Sequence, residues 1–369
     1  MASFTKRGST WQYTVSRMVN GKPKPIRKSG FRTKKEAQVA AAEVEAKLIR
    51  GILPHLTPVP IDEYFEKWVK LYKSNLSTTT QEHYKYTLKT IIDHFGNTPL
   101  QDINRHSYQL FLNQYGATRA RETVEKLNSH IKACVRDAFE EGIIQLDFTR
   151  KASLTWTTPS KKSNEKHLSF KESEVLINEL YKRLDNGLGY YLLLLGLTSG
   201  MRFGEMVGLT RKDFDFDNNL ININKTWGYM RRTSEGFGPT KNEQSNRIIR
   251  MDKPTMRIFE KLFLLMPTNL HQLVFFSPTS KYKVISNTNA NKLLKKVLTD
   301  LKIEPITVHG LRHTHASVLL YKKVSIYYVS ERLGHKDIET TLKDYTHVIK
   351  ELREEDERET IHTFEEMVV

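Results

Sequence analysis

The chain has a single cysteine in 369 residues, Cys134, which excludes an intramolecular disulfide and any zinc module built on several cysteines. That fits a reducing compartment, and its apolar neighbours Ile131, Val135, Ala138 and Phe139 make Cys134 a core thiol rather than a nucleophile. No stretch reaches the roughly 18 consecutive apolar residues of a membrane span, and residues 1–10 lack the apolar centre of a secretion signal. A cytoplasmic protein that meets no membrane is expected. Acidic residues are in deficit: 42 Asp and Glu face 58 Lys and Arg, for a formal net charge of +16. Such a field attracts polyanions, nucleic acid foremost, although a surface that is basic only for solubility gives the same count. Internal repeats and low-complexity tracts are absent too. The length points to two or three domains.

The charge is unevenly placed. Residues 1–55 hold twelve Lys and Arg against three Glu, so about a seventh of the chain carries more than half of the excess. Within them, Trp11, Tyr13 and Val15 alternate with polar residues ahead of the hairpin dipeptide Asn20-Gly21, which predicts a small sheet over residues 3–28. A helix follows: Thr33 and Glu36 make a capping pattern, Ala37, Ala40, Ala41, Val44 and Leu48 share a face, and Gly51 stands where the helix would stop. Lys6, Arg7, Arg17, Lys22, Lys24, Arg27 and Lys28 flank or lie within the strands, where a β-ribbon can meet a duplex groove. A solvated basic sheet is the plainer alternative.

Residues 56–60, with two prolines, read as a linker. From Ile61 to Gly142 the periodicity is helical, with Tyr64, Trp68 and Leu71 on one face and Tyr84, Leu88, Ile91 and Phe95 on another, and it predicts a bundle of about four helices. Ser77, Thr78, Thr79, Thr80, Lys85 and Lys89 gather near one helix start, where free N–H groups can meet a phosphate. A second polar linker is expected over roughly 149–166. Beyond it, Ser169 and Glu172 cap a run of helices, strands are predicted around Leu220, Ile221 and Ile223 and over 247–251, and helices resume at Pro254.

Four patches in this last segment place polar residues where packing alone would not ask for them. Thr198-Ser-Gly-Met-Arg202-Phe-Gly-Glu205 follows an apolar helix; Gly200 ends that helix, and Glu205 is one turn from Arg202, within reach of its guanidinium. His309-Gly-Leu-Arg312-His313-Thr-His315 sets His309 and Arg312 on one helix face. The third patch is Leu333-Gly334-His335 and the fourth is Asp344-Tyr345-Thr346-His347. A zinc site on His309, His313 and His315 is disfavoured, because no Glu follows the first His and the cationic Arg312 stands between the ligands.

In this order, Arg202 with Glu205, His309-x-x-Arg312, Leu-Gly-His335 and Tyr345 resemble the tyrosine recombinases, the phage integrase family. The layout ahead of them resembles integrases of temperate phages and of conjugative transposons of Gram-positive bacteria. The resemblance implies a multidomain, mainly α chain with small β-sheets. Residues 1–55 would form an arm-type DNA-binding domain, a three-stranded sheet plus helix. Residues 61–150 would be a helical core-binding domain, and residues 165–369 an α+β catalytic domain with a C-terminal tail. It implies a site-specific recombinase that integrates and excises a mobile element through a 3'-phosphotyrosyl intermediate and a Holliday junction. The alternatives are a type IB topoisomerase-like enzyme and a non-catalytic DNA-binding regulator.

The roles implied are Tyr345 as nucleophile, Arg202 and Arg312 on the phosphate, His309 as general acid/base, and His335 as a hydrogen-bond donor to the scissile phosphate. Lys241, ahead of the strand at 247–251, would protonate the leaving 5' oxygen; Lys225 is its rival. Glu205 would support Arg202, and Arg7, Arg17, Lys22, Lys24, Arg27, Lys28, Thr79 and Lys85 would contact DNA. Neither a metal nor another cofactor is expected. The partners implied are double-stranded attachment sites, three further copies in a tetramer on DNA, and an excisionase or other DNA-bending accessory protein. The interval from His335 to Tyr345 is ten residues, one more than in many relatives. Tyr321, Tyr327 and Tyr328 lie among apolar positions and are expected in the core. The acidic tail from Ile349, which ends with Phe364, Met367 and Val368, resembles tails that pack on a neighbouring subunit.

Overall fold

The computed structural model describes residues 2–19, 22–49, 58–158, 167–229, 236–342, 345 and 353–367. It divides into two compact units, Met1–Ser160 and Lys161–Val369.

The first unit opens with strands β1 (Ala2–Arg7) and β2 (Thr10–Val15), a short ribbon of β3 (Met18–Val19) and β4 (Lys22–Pro23), strand β5 (Ile26–Phe31) and helix α1 (Lys34–Ile49). Strands β1, β2 and β5 form a three-stranded antiparallel sheet in the order β1-β2-β5. Register sorts its side chains. Phe4 pairs with Tyr13 and Val15 with Ile26, and this face packs on Ala41 and Val44 of α1. Arg7 pairs with Thr10 and Arg27 with Thr14, so these two arginines share the opposite face with Ser3, Thr5 and Gln12. Lys28 pairs with Tyr13 and therefore emerges, exposed, on the helix side. Arg17 and Lys24 lie together off the sheet, the Lys24 N–H donating to the Arg17 carbonyl at 2.8 Å. The Asn20-Gly21 turn, the Lys22 side chain and Gly51 fall outside the described residues. Thr33 caps α1 by accepting from the Glu36 N–H at 3.2 Å, while Glu36 accepts from the Arg32 N–H at 2.9 Å.

Four helices follow: α2 (Ile61–Tyr72), α3 (Thr78–Phe95), α4 (Arg105–Gly116) and α5 (Arg121–Glu140). Their core holds Phe65, Trp68, Ile91, Tyr108, Phe111 and Ile131, together with Cys134, whose thiol burial pushes upward in pKa. On α2 the buried stripe is Ile61, Phe65 and Trp68; Leu71, expected on it, is 70% exposed in the last turn. Ser77 caps α3, and Lys85 is an exposed partner of Glu82 at 2.8 Å. The second linker starts later than composition suggests. Thr149 is 2% exposed, and residues 151–158 run back along α4, with the Ser153 N–H donating to Gln109 at 2.9 Å and the Thr157 N–H to the Gly116 carbonyl at 3.2 Å. Backbone bonds to a helix hold a polar segment that has no hydrophobic pattern to announce it.

The second unit is built around α7 (Leu188–Ser199), whose Leu192, Leu193, Leu194, Leu195 and Leu197 are all buried. A helix apolar on every side must be covered on every side. Helices α6 (Phe170–Lys182), α9 (Lys253–Leu265), α10 (Asn287–Asp300) and α11 (Val308–Tyr321) all pack on it. Ser169 and Glu172 form the expected capping box on α6. The short helix α8 (Phe203–Val207) leads to β6 (Phe214–Asp215) and β7 (Leu220–Ile223), then the ribbon of β8 (Thr226–Trp227) and β9 (Phe237–Gly238), and β10 (Arg247–Arg250). The three-stranded sheet has the order β10-β7-β6. Helix α12 (Ile326–Leu333) follows α11, and a helix over Arg353–Glu366 closes the described chain, with Ile361, Phe364 and Met367 exposed. Among the described residues no helix is long and apolar enough to cross a membrane.

One expectation is inverted. Tyr321, Tyr327 and Tyr328 are 49%, 75% and 46% exposed, whereas Tyr345 is 1% exposed. Helix α12 turns Val329 and Leu333 inward, so its adjacent pair Tyr327 and Tyr328 faces out.

Candidate active site

Gly200 sets the position of the first arginine. It ends α7 in the left-handed conformation, φ 69°, and a Cβ there would stand 2.6 Å from the His315 ring. Two residues on, Arg202 is the N-cap of α8, and its Nη1 donates to Glu205 at 2.8 Å and to the Ser245 hydroxyl at 3.0 Å. Its Nη2 donates to the Gly334 carbonyl at 3.0 Å. Glu205 is 1% exposed and is shared by a second cation, since Arg247 Nη2 donates to its other oxygen at 3.0 Å. Burial by itself would raise the Glu205 carboxyl, but the Arg247 and Arg202 guanidiniums outweigh it and hold the group below its ordinary 4.5. The carboxylate keeps two arginines in fixed geometry within one cluster.

Arg312 reaches the same cluster from α11. It is 3% exposed; Nη1 donates to the Gly200 carbonyl at 2.8 Å, and Nη2 is buried with no hydrogen-bond partner among the described residues. Burial, with Arg202 next, pushes this guanidinium down to about 9. A buried, unsatisfied, charged donor costs stability unless an anion meets it.

The histidines separate by environment. His315 is fully engaged: Nδ1 meets the Leu197 carbonyl at 2.9 Å and Nε2 accepts from Arg332 at 2.9 Å, while burial drives its pKa down to about 3. It is a neutral structural ring whose nitrogens are not free to bind a metal. His309 is exposed, and its ring stands edge-on to His313 at 4.8 Å between centroids. His313 Nδ1 lies 2.8 Å from the Tyr345 hydroxyl. Tyr345 itself is lodged among Ala316, Leu320, Val329 and Leu333. His335 follows Gly334, which caps α12 at φ 66°; its Nδ1 meets the Thr341 hydroxyl at 2.7 Å, and burial, with Arg312 and Arg202 next, lowers it to about 3. Neutral at physiological pH, it has its other nitrogen for a hydrogen bond.

The two candidate lysines differ. Lys225 is bound to Asp213, 2.6 Å from Oδ2, and its side chain is 25% exposed. Lys241 is exposed, in a turn anchored on both sides: the Thr240 hydroxyl donates to the Asn242 carbonyl at 3.0 Å, and the Asn242 amide oxygen accepts from Ser245, the same hydroxyl that contacts Arg202. A chain of bonds thus joins the lysine turn to the arginine cluster.

Arg202, Glu205, Arg312, His335 and Tyr345 converge within one unit, and residues 166–351, half of the chain, match the Phage integrase family. The chain belongs to the phage integrase family. It is a site-specific tyrosine recombinase, an enzyme that cleaves and rejoins DNA. Residues 3–48 of the recombinase match an Arm DNA-binding domain, and residues 61–115 match the N-terminal SAM-like domain of phage integrases. The integrase of Staphylococcus phage L54a is 27% identical to it over 320 residues, 80% of this chain and 89% of that protein. In fold it resembles the Tn1549 transposon integrase solved with circular intermediate DNA, with a TM-score of 0.66, 17% identity and coverage of 81% of this chain and 99% of that one. It also resembles a lambda integrase tetramer bound to a Holliday junction, with a TM-score of 0.55, 17% identity and coverage of 88% and 89%.

Sequence reading missed several members of this cluster. Arg247 and Ser245 lie at the edge of a strand, and Arg332 precedes Leu-Gly-His on a helix; each looks like a surface residue. One signal was available for Arg247: a buried Glu205 has two oxygens to satisfy, and Arg202 occupies one. Removing that carboxylate from the recombinase strands Arg247, whose side chain is 6% exposed. Glu205→Ala is expected to lower unfolding stability by about 3 to 5 kcal/mol in a urea melt. Because the folded carboxyl titrates below its unfolded value, its contribution is complete above about pH 4.5 and fades as pH falls through the folded value. The mutant and wild-type melts should therefore converge in acid.

Proposed function

We propose that this recombinase integrates and excises a mobile element by exchanging strands between two double-stranded DNA attachment sites. In this reading four copies act together on DNA, through 3'-phosphotyrosyl intermediates and a Holliday junction. The observation that supports it most is Arg312: a planar guanidinium fork, charged at neutral pH, buried beside Arg202, with one donor left for an anion. A phosphodiester repels nucleophiles, and two guanidiniums neutralise the charge that grows on its nonbridging oxygens.

Tyr345 attacks phosphorus, and the ester it forms retains the bond energy for a DNA hydroxyl to reclaim, so no ATP is needed. His309 serves as general acid/base, and His335 donates to the scissile phosphate. Lys241 gives a proton to the leaving 5' oxygen; it is preferred to Lys225, which Asp213 neutralises. Residues 1–55 bind arm sites, chiefly through the polar sheet face of Arg7 and Arg27. Residues 61–150 bind core sites near Thr79 and Lys85, and residues 165–369 carry the chemistry. The exposed apolar residues of the C-terminal helix serve contacts between copies, and an accessory DNA-bending protein sets direction.

The test is joining. Two attachment-site duplexes of different length and label, incubated in EDTA without ATP, should give products that carry both labels. Relaxation of supercoiled DNA with no joined product would replace this reading with a topoisomerase.

A further inference from the structure

We infer that His313 positions the Tyr345 hydroxyl and takes its proton as the phenol attacks phosphorus, a part that rests on the strand-transfer reading above. His313 Nδ1 is 2.8 Å from the hydroxyl, and the two rings meet at 5.7 Å between centroids. The rest of the tyrosine is enclosed by Ala316, Leu320, Val329 and Leu333, whose apolar side chains cannot orient a hydroxyl. A phenol titrates near 10 in water, so attack at neutral pH needs an acceptor within hydrogen-bond reach.

The placement is as informative as the contact. His313 follows Arg312 directly on α11, so one rigid element carries both the phosphate clamp and the group that meets the nucleophile. Arg312 and Tyr345 are close enough for their charges to couple. The groups facing His313 are His309 and Arg312 on its own helix, Tyr345 from the C-terminal segment, and His335 beyond α12. His309 is exposed and stands edge-on to the His313 ring.

The step balances. With the ring proton on Nε2, Nδ1 accepts the phenolic proton as the O–H bond breaks, and the phenolate oxygen forms the bond to phosphorus. The bond to the 5' oxygen breaks, and that oxygen takes a proton from Lys241. In rejoining, the 5' hydroxyl gives its proton back to Lys241 as its oxygen forms the bond to phosphorus, the phosphotyrosyl bond breaks, and the imidazolium returns its proton to the Tyr345 oxygen.

The experiment measures covalent adduct formation on a nicked attachment-site duplex between pH 6 and 9.5 for wild type, His313→Ala and His313→Gln, with DNA affinity and thermal melts measured separately. Both variants should form adduct about 100-fold more slowly near neutral pH, with affinity within about twofold of wild type. Their rates should climb with pH where wild type has levelled, and added imidazole should partly restore His313→Ala. Glutamine can hold the hydroxyl but cannot take its proton, so full activity in His313→Gln would overturn the proton transfer. Wild-type rates in both variants would overturn the whole inference. Adduct that persists in Tyr345→Phe would instead remove the underlying reading, which keeps the two failures apart.

Discussion

Tyr345→Phe is expected to bind attachment-site DNA with unchanged affinity and to form no covalent adduct. On a nicked suicide duplex, wild type should accumulate a protein–DNA species that survives SDS, with EDTA present and ATP absent. Phenylalanine keeps the ring that fills the space between Ala316, Leu320, Val329 and Leu333, so the change removes the hydroxyl, which lies 2.8 Å from His313. Loss of the bond to His313 should lower stability by about 0.5 to 1.5 kcal/mol, while cleavage falls below detection. The exposed Tyr321, Tyr327 and Tyr328 make natural controls, and an adduct that vanished in one of their phenylalanine variants but survived in Tyr345→Phe would move the nucleophile.

The second large effect separates catalysis from stability. Arg312→Met should slow adduct formation by about 10³ to 10⁵-fold, the range over which a single transition-state arginine acts in phosphoryl transfer. Arg312→Lys keeps a charge but loses the planar fork, and should recover only part of this. Yet the DNA-free protein should be no less stable with methionine. The wild-type guanidinium is 3% exposed, has an unpartnered Nη2, and is pushed down to about 9 by burial and by Arg202. Its folded value lies below the unfolded one, so the charged group opposes folding near neutral pH, and that opposition fades only as pH rises past the folded value. Replacing a buried charge with an apolar chain of similar length is neutral or stabilising by up to about 4 kcal/mol. A melting temperature well below wild type would mean that Arg312 is structural and that its free donor is not held ready for phosphate.

Much of this site was legible because its residues are chemically incongruous where they stand. Arg202 after a helix of leucines, His309 and Arg312 one turn apart, and a histidine behind Leu-Gly have no packing reason, and their order along the chain carried the family. What was not legible is which partner each acquires. His313 and His315 are two residues apart on one helix; one meets the Tyr345 hydroxyl and the other is locked between Leu197 and Arg332. A helix advances about 100° per residue, so such neighbours face different surroundings, and only the packing of α7, α11 and α12 decides which.

The sequence by itself determined the basic sheet and the helix after it, the run of helices that follows, and the ordered polar residues that carry the family. Local signals suffice for these: alternation, helical period, caps and turn dipeptides. Tertiary structure alone decided that Leu71 and the α12 tyrosines face outward and that Tyr345 lies inside. It likewise decided that Glu205 holds Arg247 as well as Arg202, and that Ser245 links the lysine turn to the arginine cluster. Each of these depends on partners that are distant in the chain, such as Arg202 on Gly334, or Arg312 on Gly200. Burial and hydrogen bonding are properties of what is brought near, and sequence spacing specifies that only within a helix or across a hairpin.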